Sequence, residues 1–199
     1  MKPVEELYRI NSFLAVWQEY DPQVKVTCAS TAIRAAEGWI LIDPIPLAES
    51  ALLELTGGER PQAVVLTSGN HQRASLDFRA RYGAMIHAPA AAQSEVEADV
   101  WWEPGALVAD ALKSIPLSGA ALGEAALLLA ETLILGDALV HLDGLQVLPA
   151  KYCENEPALR QALPGLLTLD FKIVCFAHGL PIVQRAKERV MSTLRESAA

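Results

Sequence analysis

The chain has 199 residues, of which 52% are hydrophobic and 20% are charged, and its net charge is −8. This composition is typical of a folded protein rather than a disordered one, and the length suits one domain with a sizeable core, which we predict to span residues 1–199. The chain has no basic run to attract nucleic acid, no signal peptide and no apolar run of the ~18 residues that cross a membrane, so we expect a cytoplasmic protein with neither partner.

The first half of the sequence predicts a β-meander followed by alternating helices and strands. Strand-like runs at 7–10, 13–18, 24–27, 30–35 and 39–42 are separated by turn residues. The last of these runs ends at Asp43, which we interpret as a turn former. The periodicity then predicts helices at 48–55, 74–81 and 89–98, with strands at 63–66 and 84–87 between them.

The second half repeats this α/β order after a tryptophan pair. Trp101 and Trp102 point to opposite faces if they lie on a strand, so we expect one in the core and the other at a pocket or at the interface of a homo-oligomer. Strands are predicted at 107–108, 112–117, 125–130, 132–135, 145–148 and 173–177, and helices at 155–163 and 181–196. Two α/β halves in sequence predict a layered α/β fold with two sheets face to face.

One stretch, residues 62–75, joins a buried strand to a helix through a polar cluster, which is where α/β proteins place their chemistry. It resembles the metallo-β-lactamase superfamily, in which a buried strand runs into T-H-x-H-x-D-H. Thr67 matches the threonine of that motif, and His71 falls on a position that the family leaves free. The positions of the family's metal ligands His, His, Asp and His hold Ser68, Asn70, Gln72 and Arg73.

The resemblance continues through the second half of the chain. Gly136-Asp137 matches the family's G-D pair, whose aspartate bridges two metals, and F-A-H-G-L-P-I resembles G-H-G-x-P-I, so that His178 matches the final histidine. Ala120 falls where the family has a third histidine. The resemblance implies a four-layer αβ/βα sandwich, in which two mixed β-sheets are flanked by helices.

The resemblance also bears on metal binding, because most of the family's ligands are replaced. A catalytic zinc needs about three protein ligands, and the fixed positive charge of Arg73 would repel a metal. We therefore expect no cofactor, and we expect Arg73 to pair with Asp137 in place of the metal. The alternative is a mononuclear site for zinc or another divalent metal, formed by His71, Asp137 and His178.

Two functions of different classes follow. The first is a metal-free relative of the hydrolases that binds a small ligand or regulates a partner. Loop N–H groups at a helix start and the Arg73 guanidinium suit an anionic molecule. Its pocket would comprise Ser68, Asn70, His71, Gln72, Arg73, Asp137 and His178. The second is a metal-dependent hydrolase with a reduced site, in which Asp137 and His178 are the candidate catalytic residues. A minor alternative pairs Ser68 as a nucleophile with His178 as a base.

Overall fold

The computed structural model describes residues 1–197, which form fourteen β-strands and four α-helices. The first half of the chain contains a meander and two helices. Its elements are β1 (Tyr8–Asn11), β2 (Leu14–Asp21), β3 (Val26–Ala35), β4 (Gly38–Ile42), α1 (Glu49–Thr56), β5 (Ala63–Val65), α2 (Ser75–Tyr82), β6 (Met85–Pro89) and β7 (Val100–Trp102).

The second half begins with short antiparallel strands and ends with a helix. Its elements are β8 (Leu107–Val108), β9 (Leu112–Pro116), β10 (Ala125–Leu129), β11 (Thr132–Leu135), β12 (Leu139–His141), β13 (Leu145–Val147), α3 (Glu156–Ala162), β14 (Ile173–Phe176) and α4 (Ala186–Ser197). Short 3₁₀ turns lie at Gly69–His71, Ala90–Ala92, Ala150–Tyr152 and Leu163–Thr168.

The strands form two mixed sheets and one small hairpin. The first sheet has the order β1 to β7, antiparallel as far as β4 and parallel from β4 to β7. The second sheet has the order β14-β11-β10-β9-β8, in which only the β11–β14 pair is parallel. Strands β12 and β13 pair with each other. Since β11 and β14 run the same way, the residues that follow them leave the second sheet at the same edge.

Alternation along the strands builds a four-layer arrangement. In β4, Ile40 joins the apolar cluster between the two sheets, whereas its neighbour Leu41 packs with α1 and α2. In β11, Ile134 joins the inter-sheet cluster and Leu133 packs with α3 and α4. Successive residues of a strand face opposite sides of its sheet, so each sheet buries both faces. The predicted αβ/βα sandwich is therefore confirmed.

Two predicted helices differ from the observed elements because tertiary hydrogen bonds compete with helix formation. The alanine-rich stretch 89–98 forms only a 3₁₀ turn, and the amide of Glu97 donates to the side chain of Gln72. The last helix begins at Ala186 rather than at residue 181, since Ile182 exchanges both backbone hydrogen bonds with Val174 of β14. Helix propensity is a weak prior where such contacts are available.

The tryptophan pair lies in β7, at the edge of the first sheet. Trp102 is buried among the inter-sheet residues, and Trp101 is half-buried against the outer cluster. Within residues 1–197, no helix has the length and apolar character needed to cross a membrane. The single domain over residues 1–199 and the cytoplasmic location stay predictions.

Candidate metal centre

Three loops at one edge of the sandwich bring polar side chains together. The first follows β5 and contains the 3₁₀ turn with His71, which is capped by Ser68 accepting from the Asn70 amide. The second follows β11 and contains Asp137, and the third follows β14 and contains His178. These loops meet because the strands before them end at the same edge.

His71, Asp137 and His178 place their ligand atoms within 4.8 Å of one another. Oδ1 of Asp137 lies 3.3 Å from Nε2 of His71 and 3.2 Å from Nε2 of His178. His71 is buried, and the side chains of Asp137 and His178 keep 12% and 14% of their surface exposed. The cluster is therefore open to solvent on the side of Asp137 and His178.

The tautomer of His71 follows from its neighbours. Thr67 Oγ1 donates its proton to Oδ2 of Asp43 over 2.5 Å, so it can only accept from Nδ1 of His71, 2.9 Å away. Nδ1 also lies 3.0 Å from Oδ2 of Asp43. Nδ1 therefore carries a proton, and Nε2 is the nitrogen that faces Asp137. A carboxylate that holds the far nitrogen of a histidine is typical of metal sites.

The side chains of His178 and Asp137 are also oriented by hydrogen bonds on the side away from the centre. His178 donates from Nδ1 to the carbonyl of Thr27 over 3.1 Å, which leaves Nε2 directed at Asp137. Asn70 donates from Nδ2 to Oδ2 of Asp137 over 3.1 Å, which leaves Oδ1 directed at the two imidazoles. Each of the three donor atoms thus faces the centre, and each is held by a partner on its other side.

The electrostatics of the cluster favour a positive charge at its centre. Burial opposes charge on His71, but the carboxylates of Asp43 and Asp137 outweigh burial and raise its pKa to about 10. Burial likewise opposes the charge of Asp137, but the two histidines hold the pKa of its carboxyl far below the usual range. The pKa of His178 is raised as well, since Asp137 overcomes the effect of burial. A metal ion binding here would displace protons from imidazole nitrogens.

The donor set fits zinc. Two histidine nitrogens and one carboxylate oxygen are a common ligand set of catalytic zinc. Donors bonded to a tetrahedral zinc at ~2.0–2.1 Å lie ~3.3–3.4 Å apart. The two separations from Asp137, 3.2 and 3.3 Å, agree with this value, and all three donors lie within 4.8 Å of one another. The three residues would leave one coordination position open, as catalytic zinc sites do.

The remaining residues of the predicted pocket do not face this centre. Ser68 is buried and lies 3.4 Å from Nδ1 of His71, and no hydrogen bond joins it to His178 among the described residues. Gln72 bonds to Ser75 and to the backbone of Glu97, so it braces the loop against the segment after β6. The structure therefore gives no support to a Ser68–His178 nucleophile and base.

The predicted direct pairing of Arg73 with Asp137 is wrong, because no hydrogen bond or ion pair joins the two side chains within residues 1–197. The guanidinium of Arg73 donates to the carbonyls of Ala29, Asp43 and Ala177 at 2.7, 2.9 and 3.1 Å. These carbonyls belong to both sheets, so Arg73 ties the two sheets together beneath the metal centre. Asp137 is instead neutralised by the two histidines, because His71 turns inward and occupies the place that the prediction gave to Arg73.

Two buried carboxyl groups near the centre have roles that the sequence did not indicate. Asp43 was interpreted as a turn former, and its backbone φ of 47° fits that role, but its carboxylate also accepts from Thr67 and from His71. Glu124 follows the turn that contains Ala120, and its Oε1 accepts from the amide of Ala138 over 3.0 Å. Burial raises the pKa of Glu124 to about 8. No motif marks Glu124.

Known proteins resemble this chain along most of its length. A family model described as the metallo-beta-lactamase superfamily matches residues 5–184. The structure of DIM-1 metallo-beta-lactamase has a TM-score of 0.77 at 12% identity, with 98% of each chain covered. A metallo-beta-lactamase from Pontibacter korlensis has a TM-score of 0.74 at 16% identity, with 96% of this chain and 98% of that one covered. No curated protein matches the sequence.

A further similar structure is that of FIM-1 from Pseudomonas aeruginosa in its mono-zinc form. It has a TM-score of 0.74 at 11% identity and covers 100% of this chain and 98% of that one. The identities of these proteins are low, so they establish the fold alone. They are nevertheless metallo-enzymes by name, and one was solved with a single zinc.

The expectation that the protein needs no cofactor is contradicted by these findings. That expectation rested on the number of family ligands that are replaced and on the charge of Arg73, whereas the alternative expectation was a mononuclear site of His71, Asp137 and His178. The structure places His71 with Asp137 and His178 as a possible metal-binding group, and the family contains zinc-bound members. Zinc therefore fits this site better than a metal-free pocket does.

Proposed function

The chain belongs to the metallo-β-lactamase superfamily, and from this premise we propose that it is a zinc-dependent hydrolase with a single metal held by His71, Asp137 and His178. The observation that carries the proposal is the orientation of the two histidines. Both present Nε2 to Oδ1 of Asp137 while Nδ1 is held by an acceptor. This arrangement serves a metal better than it serves a ligand-binding or regulatory pocket, which was the first expectation.

The metal and the side chains would have different roles in the reaction. A bound zinc supplies a Lewis acid and lowers the pKa of water toward neutrality. Asp137 has two distinct oxygens, since Oδ1 faces the histidines and Oδ2 is held by Asn70. Asp137 would hold the metal through Oδ1, and Asn70 fixes the direction of the carboxylate by its hydrogen bond to Oδ2.

Several side chains support a site for one metal rather than two. Besides Arg73, the family positions for further ligands hold Ser68, Asn70, Gln72 and Ala120. Ser68 and Gln72 are engaged in bonds that hold the loop, and Asn70 is bonded to Asp137. The guanidinium of Arg73 lies among the carbonyls beneath the centre and adds a fixed positive charge there. This charge would repel a second cation, and these positions offer no set of ligand atoms that would offset the repulsion.

The class of reaction follows from the same premise. The similar structures are named as metallo-beta-lactamases, and a β-lactam is a cyclic amide. A centre that polarises a carbonyl group and lowers the pKa of water suits the hydrolysis of an amide, an ester or a thioester. The exposed edges of Asp137 and His178 give such a substrate its side of approach.

Elemental analysis of the purified protein and of two variants tests the proposal. We expect about one zinc per chain in the wild type and its loss in His71→Ala, because three protein ligands are the minimum of a catalytic site. His87→Asn is the matched control, since His87 is also buried but lies on β6 outside the cluster. Hydrolysis of a p-nitrophenyl ester, a thioester and a chromogenic cephalosporin should be lost in His71→Ala and kept in His87→Asn.

Two outcomes would overturn the proposal. One is a wild-type protein that stays free of zinc after dialysis against the metal. The other is a zinc content that His71→Ala leaves unchanged, which would place the metal elsewhere. Zinc binding without hydrolysis of any of the three substrates would support the metal site but contradict the proposal that the protein is a hydrolase.

A further inference from the structure

One residue outside the proposed metal site, His141, holds the loop that carries His178. His141 is the last residue of β12 and follows Asp137 by four positions. Its amide donates to the carbonyl of His178 over 2.9 Å, and it forms a parallel β-bridge with Gly179. One short segment therefore begins at one proposed metal ligand and ends against the loop of another.

The imidazole of His141 adds a second attachment to the same loop. Its Nδ1 lies 2.7 Å from the carbonyl oxygen of Leu180, and within residues 1–197 this is the one side-chain hydrogen bond that residues 179–181 receive. The ring is half-buried and packs on Phe176, with the ring centroids 5.7 Å apart. The two hydrogen bonds from His141 thus reach the loop on either side of Gly179.

Arg189 of α4 determines the tautomer of His141. A guanidinium nitrogen of Arg189 lies 3.1 Å from Nε2 of His141. A guanidinium group has donors only, so Nε2 must accept and carries no proton. The proton of the neutral ring then lies on Nδ1, which donates it to the carbonyl of Leu180. The ring is therefore oriented as a donor to the loop.

Gly179 brings the backbone of this loop directly against His141. Its φ of 97° lies in the region that favours glycine, and a Cβ at this position would overlap the carbonyl group of His141. Since His178 directly precedes Gly179, a shift of the loop away from His141 would also move the imidazole of His178 relative to Asp137.

We propose that His141 is a positioning residue of the metal centre, whose Nδ1–H holds the loop so that Nε2 of His178 stays 3.2 Å from Oδ1 of Asp137. This inference rests on the proposed function where it takes His178 as a metal ligand. Residues that orient metal ligands change metal affinity by ~10–100-fold. The backbone amide of His141 persists in every variant, so a change in affinity reports on the imidazole.

Competition with a chromophoric chelator on the full-length protein tests the effect on the metal. His141→Phe keeps a ring against Phe176 but removes the donor, and we expect zinc affinity to fall by about tenfold or more. His141→Asn places an amide N–H near the position of Nδ1 and should recover most of this loss. Lys187→Met is the control, because Lys187 of α4 also donates to a carbonyl, that of Leu169, and should leave zinc affinity unchanged.

NMR of the zinc-free protein tests the inference independently of the proposed function. Long-range ¹H–¹⁵N correlation spectra report the tautomer, and we expect His141 to carry its proton on Nδ1. The Nδ1 proton of His178 is bonded to the carbonyl of Thr27, and its exchange with water reports how firmly the loop is held. This exchange should be faster in His141→Phe than in the wild type, and should stay slow in His141→Asn and in Lys187→Met.

The outcomes separate the inference from the proposed function. If the wild type binds no zinc but exchange of the His178 proton still depends on residue 141, the proposed function fails and the positioning role stands. If His141→Phe matches the wild type in exchange, the backbone bonds alone hold the loop and the inference is refuted. A neutral His141 with its proton on Nε2, or equal losses of zinc affinity in His141→Phe and His141→Asn, would refute it as well. If His141→Phe does not fold, His141→Leu takes its place.

Discussion

Nε2 of His178 lies 3.2 Å from Oδ1 of Asp137, although the two residues follow different strands of the second sheet. The parallel pairing of β11 with β14 brings Leu135 opposite Phe176, so both strands deliver their next residues to the same edge. His71 reaches the same oxygen from the first sheet. The centre therefore depends on how the two sheets are joined as much as on its three ligands.

The carboxylate of Asp137 should be indispensable for metal binding. Asp137→Asn keeps the size of the side chain but removes the negative charge that both histidines face, so we expect zinc affinity to fall by at least about 100-fold. Competition with a chromophoric chelator measures the affinity. Asp143→Asn is the control, because Asp143 is an exposed aspartate of the same segment. Equal affinities of Asp137→Asn and wild type would show that the metal does not use this residue.

Asp43 should control the metal through His71. Its two oxygens accept from three donors, namely the Thr67 amide, the Thr67 hydroxyl and Nδ1 of His71. An amide has only one oxygen, so in Asp43→Asn a donor must face the new NH₂ group. We expect zinc affinity to fall by ~10–100-fold and the free energy of unfolding of the zinc-free protein to fall by ~2–4 kcal/mol.

Zinc competition and urea unfolding check the prediction for Asp43. Asp99→Asn is the control, since Asp99 also accepts a backbone N–H, from Ile86, but lies away from the histidines. It should alter stability without altering zinc affinity. If both variants lower zinc affinity equally, the effect of Asp43 comes from general destabilisation and not from its hold on His71.

Most of the fold could be predicted from the sequence because the pattern of apolar residues in each strand shows which faces of the strand are buried. Alternation at Ile40-Leu41 and Leu133-Ile134 reflects two apolar faces per sheet. The sequence could not predict elements whose conformation depends on hydrogen bonds to residues far away in the chain. The segment 89–98 has a helical composition, but Gln72 binds the amide of Glu97, and residue separation in the sequence does not show that contact.

The candidate site could be predicted only in part, for a similar reason. Asp137 and His178 were identified because each directly follows a strand, in the order of a known motif. His71 was assigned to a position that the family motif leaves without a ligand. That assignment assumed that the loop has the same conformation as in the family. The 3₁₀ turn at Gly69–His71 and the carboxylate of Asp43, 28 residues before His71 in the chain, turn that side chain inward. The partners of Arg73 were predicted wrongly because they are backbone carbonyls. Every residue has such a carbonyl, so no sequence pattern marks the ones that Arg73 contacts.

Restoring the family's histidine at position 73 should not create a second metal site. Arg73→His removes the donor to three carbonyls that link the sheets, while Ser68, Asn70, Gln72 and Ala120 still stand in place of the family's ligands. We expect zinc to stay at about one per chain and the free energy of unfolding to fall by ~2–4 kcal/mol, as buried carbonyls lose a charged partner. Elemental analysis and urea unfolding measure both. A gain of a second zinc would contradict the role assigned to Arg73.

The stability of the zinc-free protein should fall as pH rises, because of Glu124. Its pKa is raised by burial from 4.5 to about 8 on folding. Between these values the folded protein keeps a proton that the unfolded chain has released, so the free energy of unfolding decreases with pH. At ~1.4 kcal/mol per pKa unit, the decrease reaches at most ~5 kcal/mol. Glu124→Gln has no proton to hold and should remove this dependence.

Urea unfolding of the chelator-treated protein at about pH 5 and about pH 8 measures the effect of Glu124 as a difference between proteins. The pKa of His71 is raised to about 10, so the folded wild type keeps this imidazole protonated at both pH values. Glu131→Gln is the control, since Glu131 is exposed and pairs with Lys172 at the surface, and it should retain the wild-type slope. Because the penalty is small at pH 5 and several times larger at pH 8, Glu124→Gln should gain much more stability over wild type at the higher pH. A constant difference at both pH values would mean that Glu124 is already ionised in the folded protein.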